Sequence, residues 1–121
     1  MEKEAALETV IIFTTQMEAL AEFYEQALDI GPYESAPNHL GCQVGPVYFG
    51  FDQVEKNRKG YAPGSITVWF TVDDIQATFD RLVALGAEVR YPPTQKPWGA
   101  LLASVEDPDG NILGLSQRRR P

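Results

Sequence analysis

Residues 65–87 read SITVWFTVDDIQATFDRLVALGA, an apolar β-rich run, two aspartates, a helical pattern and a glycine. Residues 8–30, ETVIIFTTQMEALAEFYEQALDI, follow the same order, with VIIF, then TTQ, then a helical pattern closed by Gly31 and Pro32. A repeat of this length sets the architecture before any single element does. In the first copy Met17, Leu20, Ala21, Tyr24, Ala27 and Leu28 recur at spacings of three and four, the stripe of a core-facing helix. Ile75, Phe79, Leu82 and Val83 form the equivalent stripe in the second. Thr15 with Glu18 has the capping-box spacing, Asp73 or Asp74 caps the second helix, and Gly31 and Gly86 end the two helices.

After each helix come short β-like stretches divided by turn residues. In the first half they are 33–35, 39–44 and 47–52, broken by Pro37, Asn38, Gly45 and Pro46. In the second half they are 88–91, 100–105 and 112–117, with DPDGN at 107–111 as the most specific turn signal. Each half is therefore βαβββ, spanning 7–53 and 65–117, and the polar Gly- and Pro-containing stretch 54–64 joins them. The expected fold class is α+β. One helix covers one face of a four-stranded sheet, and a half of this size has little core of its own, so the reading is a single domain, 1–121, whose modules pair their sheets around a shared cleft.

The 121 residues are 44% hydrophobic and 22% charged, ordinary values for a folded water-soluble domain. Net charge is −7, and three of the ten basic residues are the terminal run Arg118, Arg119 and Arg120. Without that run seventeen acidic residues face seven basic ones. Such a surface repels phosphate backbones and anionic lipid and attracts small cations, so nucleic acid and membrane are not expected partners. Cys42 is the only cysteine, which excludes an intrachain disulfide and a cysteine-rich zinc site. The start, MEKEAALETV, lacks a secretory pattern and no apolar run has the length of a membrane span, so the expected address is the cytoplasm.

The sequence resembles the vicinal-oxygen-chelate superfamily of glyoxalases, bleomycin-resistance proteins and extradiol dioxygenases. EFYEQALDIG at 22–31, FTVDDIQATFDRLVALGAEV at 70–89 and KPWGALLASVEDPDGNILGLSQ at 96–117 carry the likeness, which runs from about residue 8 to 117. For metal-dependent members the resemblance implies one ligand, usually His or Glu, on the first and last strands of each half. The implied positions fall on Thr9 and Thr67, seven residues before Gln16 and Asp74, and on Gly114, four after Gly110. The last strand of the first half, VYFGF at 47–51, offers only apolar, aromatic and glycine residues. Threonine hydroxyls and a glycine do not hold a divalent ion, so no metal and no cofactor is expected. His39, the only histidine, falls in or beside a turn.

Strand alternation then assigns the cleft. If Thr9 and Thr67 face it, so do Ile11 and Phe13, and Trp69 and Thr71. On the last strands Ile112, Gly114 and Ser116 face it, with Phe49 and Phe51 in the first half and Tyr48 turned away. Trp98, in KPWGA on the loop entering a strand, reads either as a hydrophobic anchor or as a flap over the cleft. The expected ligand-binding set is Thr9, Ile11, Phe13, Phe49, Phe51, Thr67, Trp69, Trp98, Ile112 and Gly114, with no catalytic and no metal residues. Cys42 reads as a buried inert thiol, and Asp73, Asp74, Glu106, Asp107 and Asp109 as caps and turn formers.

Three functions stay open. The first is a binding protein, not an enzyme, that holds a small aromatic or cationic molecule. The second is a metal-dependent lyase or dioxygenase of the same superfamily. The third is a dimeric module with no ligand. The resemblance implies a homodimer in each case.

Overall fold

A computed structural model describes residues 7–55 and 67–119. The chain divides into two compact units, residues 1–61 and 62–121. Unit 1 contains β1 (Thr9–Thr14), α1 (Met17–Leu28), β2 (Glu34–Ala36), β3 (His39–Val44) and β4 (Val47–Gln53). Unit 2 contains β5 (Thr67–Val72), α2 (Ile75–Ala84), β6 (Glu88–Gln95), β7 (Leu101–Glu106) and β8 (Ile112–Gln117). The sheets have matching orders, β1-β4-β3-β2 and β5-β8-β7-β6. In each, the first strand runs parallel to the last and the other pairs are antiparallel. The α+β class and the βαβββ repeat stand as read from the sequence. Most of the 54–64 connection lies outside the described residues.

Each core lies between a helix and one sheet face. Under α1, Leu20, Ala21, Phe23, Tyr24 and Ala27 are buried with Phe49 and Phe51. Tyr24 meets both rings at 5.3 Å between centroids. Under α2, Ile75, Phe79 and Leu82 are buried with Ala103, Val105, Leu113 and Leu115. Val83, expected in that stripe, is 45% exposed, and the buried place beside Phe79 goes to Thr78.

Helix capping departs from the capping-box reading and repeats between the units. The Met17 N–H donates to Gln53 Oε1 at 2.9 Å, and the Ile75 N–H donates to Gln117 Oε1 at 2.9 Å. The last residue of each final strand thus satisfies an unpaired donor of its own unit's helix. Thr14, fully buried, accepts from the Gln16 N–H through Oγ1 at 3.1 Å, and the N-cap is Gln16, with no side-chain cap bond, where Thr15 was expected. Asp74 caps α2 by accepting from the Ala77 N–H at 3.0 Å. Gly86, at φ 89°, ends α2 with N–H bonds from Gly86 to Val83 O and from Ala87 to Leu82 O. In unit 1 the C-cap of α1 is Asp29, left-handed at φ 55°, two positions before the expected Gly31, which is itself at φ 107°.

β6 runs on through Pro92 and Pro93, past the expected end at Tyr91. It is an edge strand with register shifts at Tyr91 and Thr94, the setting in which proline is tolerated because no ladder donor is needed. Among the described residues no helix is long and apolar enough to cross a membrane.

Candidate functional site

The face of each sheet away from its helix is where side chains remain available. In unit 2 the parallel register pairs Thr67 with Ile112, Trp69 with Gly114 and Thr71 with Ser116, and paired residues point to the same side. Leu113 and Leu115, on the alternate parity, are buried under α2. Thr67, Trp69, Thr71, Ile112, Gly114 and Ser116 therefore share the helix-distal face.

Trp69 is 43% exposed, and its indole fills the space above Gly114. A Cβ at Gly114 would collide with Trp69 Cδ2, Cε3 and Cε2. Beside this platform Thr71 and Ser116, with Gly99, Ala100, Leu101, Gln117, Arg118 and Arg119, line a recess of about 350 Å³. Arg118 Nε donates to Asp73 Oδ1 at 2.7 Å, and the Gln117 Nε2 donates to Asp73 O. Trp98 stands 68% exposed on the 96–100 turn, which closes through Lys96 N–H to Ala100 O and Gly99 N–H to Lys96 O.

In unit 1 the parallel register sets Thr9 beside Tyr48, Ile11 beside Gly50 and Phe13 beside Asp52. Across the β3–β4 hairpin Gln43 pairs with Tyr48, Gly41 with Gly50 and His39 with Asp52. Thr9, Ile11 and Phe13 thus share the helix-distal face with Tyr48, Asp52 and His39. The expected orientation of β4 is reversed. Phe49 and Phe51, assigned to the cleft, are 2% and 0% exposed and pack on Tyr24 of α1, while Tyr48, assigned to the helix side, lies on the opposite face. The reason is burial: the alternate residues Tyr48 and Asp52 carry the polar groups, and the two phenylalanines supply the core.

His39 opens β3 beside the turn at 37–38, as expected, and belongs to a cluster that the spacing did not announce. Its Nδ1 lies 2.6 Å from Asp52 Oδ1 and its Nε2 lies 2.7 Å from Tyr48 Oη. The His39 and Tyr48 rings are nearly parallel, 11° apart. Tyr48 reaches His39 by leaning over Gly41, where any Cβ would strike its phenol. Burial, followed by the charges of Glu34, Cys42 and Asp52, raises the Tyr48 pKa. The signal that finds this cluster is the Gly45–Pro46 turn, since a two-residue loop sets Val44 against Val47 and hence His39 against Asp52.

The remaining groups have structural work. Asp107 accepts from the Asp109 N–H, the Asn111 N–H and Asn111 Nδ2, which builds the DPDGN turn. Cys42 is buried, and burial raises its thiol pKa. Arg90 Nη1 donates to the buried Ser104 Oγ, which in turn donates to Leu113 O.

The donor set does not fit the divalent metal that the fold family implies. Thr67 is paired with Ile112, and the Gly114 position is covered by indole. Gly50, the Gly114 counterpart in unit 1, is hemmed by Leu40 O, His39 Cε1 and Ile11 Cδ1 at 2.9–3.1 Å from where a Cβ would stand. Among the described residues no group of three or more His, Cys, Asp or Glu side chains could hold an ion.

No curated protein matches the chain. Among solved structures it is similar to a glyoxalase-related enzyme from Fulvimarina pelagi, at 24% identity and a TM-score of 0.79 over 93% of this chain and 88% of that one. A glyoxalase/bleomycin resistance protein/dioxygenase family enzyme from Burkholderia phytofirmans PsJN aligns at 22% identity and a TM-score of 0.78, over 93% and 98% of the two chains. A lactoylglutathione lyase from Agrobacterium tumefaciens aligns at 17% and 0.75, over 95% of each. At these identities the likeness is one of fold. The sequence profile of one family matches residues 6–115, and with the repeated βαβββ units it places the chain in the Glyoxalase/Bleomycin resistance protein/Dioxygenase superfamily.

Proposed function

We propose that the protein binds a small, flat aromatic molecule without a metal ion, using the helix-distal sheet face of unit 2. The observation that carries this reading is Trp69 lying over Gly114, where metal-dependent relatives are expected to place a carboxylate. The strand position that would feed a metal instead supports an exposed aromatic surface. Stacking on such a ring contributes roughly 0.5–1.5 kcal/mol beyond the area it buries. Thr71, Ser116, Arg118 and Arg119 in the adjoining recess supply hydroxyl and guanidinium donors for a carbonyl or other acceptor on the ligand. The net charge of −7 favours a neutral or cationic ligand over a strongly anionic one.

The test is elemental analysis of protein purified without chelator, together with calorimetric titration of Ni, Zn and Mn. The reading expects no stoichiometric metal and no saturable heat. A one-to-one complex of sub-micromolar affinity would overturn it in favour of a metal-dependent lyase or dioxygenase.

A further inference from the structure

Unit 1 carries a second arrangement that ligand binding on unit 2 does not use. Asp52, His39 and Tyr48 form one continuous hydrogen-bonded chain, 2.6 Å from carboxylate to Nδ1 and 2.7 Å from Nε2 to the phenol. An ionised carboxylate can only accept, so the state that serves as a base is the neutral imidazole with its proton on Nδ1, facing Asp52. His39 Nε2 then presents its lone pair to the Tyr48 hydroxyl. A hydroxyl bonded to a base that a third group orients is the geometry of an activated nucleophile, whatever fold carries it.

The local structure holds this chain in place. Cross-strand pairing faces His39 with Asp52, and the bare Gly41 lets Tyr48 cross β3 to reach the imidazole. The cluster is not sealed in the core, since the His39 and Asp52 side chains are 26% and 39% exposed. Phe13, 42% exposed, is the register partner of Asp52, and Ile11 reaches toward Gly50 on the same face. The titratable groups acting on Tyr48 are Glu34 of β2, His39 and Cys42 of β3 and Asp52 of β4. None is a fixed cation. The face therefore suits an uncharged substrate with an aromatic part and disfavours an anionic one.

We infer that Tyr48, with His39 as its base and Asp52 as the residue positioning that base, is the nucleophile of an acyl-transfer site for small neutral aryl esters. In the first step the Tyr48 O–H bond breaks and its proton passes to His39 Nε2 as the phenol oxygen bonds to the ester carbonyl carbon. The bond between the acyl carbon and the aryloxy oxygen then breaks, and the leaving phenol takes the proton from His39. In the second step water gives a proton to His39 and its oxygen attacks the acyl-tyrosine. The acid departs and the Tyr48 oxygen recovers the proton. Water is the only co-reactant, and nothing is oxidised or reduced.

The experiment uses the full chain with 4-nitrophenyl acetate, reading nitrophenolate release and the position of the acetyl group by peptide mass mapping. The expected result is acetylation at Tyr48, absent in Tyr48→Phe. His39→Gln is expected to slow acylation about 100-fold or more, the scale of a lost general base. Asp52→Asn should slow it with little change in the half-saturating ester concentration, and Asp52→Glu should recover part of the rate. Thermal midpoints identify any variant that fails to fold, and Tyr48→Phe, which keeps the ring, serves where His39→Gln does not. Acetyl groups only on lysines or other tyrosines, or a wild-type release rate in Tyr48→Phe, would overturn the proposal. Saturable binding of 4-nitrophenol without acylation would also overturn it, while leaving the binding reading of unit 2 intact.

Discussion

The Trp69 indole occupies the volume that a side chain at Gly114 would need, so these two register partners on β5 and β8 exclude one another's alternatives. Gly114→Ala should therefore destabilise the protein by about 1–3 kcal/mol, the cost of forcing a packed ring aside. In the background of Trp69→Ala the same substitution should cost less than about 0.5 kcal/mol, because the obstruction is gone. Urea unfolding of the four proteins in this cycle measures the coupling. An unchanged cost for Gly114→Ala would mean that the ring is not what reserves the glycine.

Phe51 and Phe13 sit on opposite faces of the unit 1 sheet and should behave differently. Phe51→Ala removes a fully buried ring that packs on Tyr24 and Phe49, and is expected to cost about 3–5 kcal/mol. Phe13→Ala, at a 42% exposed site, should cost less than half of that. Equal losses would return Phe51 to the open face.

Gln53 and Gln117 hold equivalent positions at the ends of β4 and β8, and each accepts from the first N–H of its helix. Replacing either by alanine should cost about 0.5–2 kcal/mol, as loss of a helix cap does. Hydrogen exchange should speed up at the Met17 amide in Gln53→Ala and at the Ile75 amide in Gln117→Ala. Faster exchange at neither amide would remove these glutamines from the capping role.

Alkaline pH should weaken the fold. Burial raises the Tyr33 phenol pKa and the Cys42 thiol pKa, so the folded chain keeps protons that the unfolded chain releases. Stability from these groups is complete below their unfolded values, about 8.5 for a thiol and about 10 for a phenol, and is lost as pH rises toward the folded values. The midpoint of urea unfolding should fall between about pH 8.5 and 11, and Cys42→Ser should flatten the lower part of that decline. A midpoint that rises over this range would contradict the assignment.

Much of this was legible in the sequence because it is local or periodic. Helix stripes, the Gly86 stop, the Asp74 cap and the DPDGN turn depend on residues within a few positions of each other, and the repeat gives the order of the elements along the chain. Thr9, Ile11 and Phe13, and Thr67, Trp69, Ile112 and Gly114, share a helix-distal face in their own unit because side chains alternate along a strand, once the resemblance turns Thr9 and Thr67 that way. On β4 the parity was inverted, although Val47, Phe49 and Phe51 against Tyr48, Gly50 and Asp52 is an apolar-polar alternation that places the phenylalanines in the core. His39 joined to Asp52 and Tyr48 needed the hairpin register, which no single residue announces. That Trp69 leans across Gly114 depends on how two strands pair, and linear spacing does not contain it.

The most direct test of metal-free binding is the emission of Trp69 in Trp98→Phe protein, titrated in excess chelator with quinoline, 1-naphthol and acridine. The account predicts a saturable one-to-one change for at least one of these flat rings, unaltered when Ni or Zn replaces the chelator. A response that appears only once the metal is supplied, or no response under either condition, would contradict it.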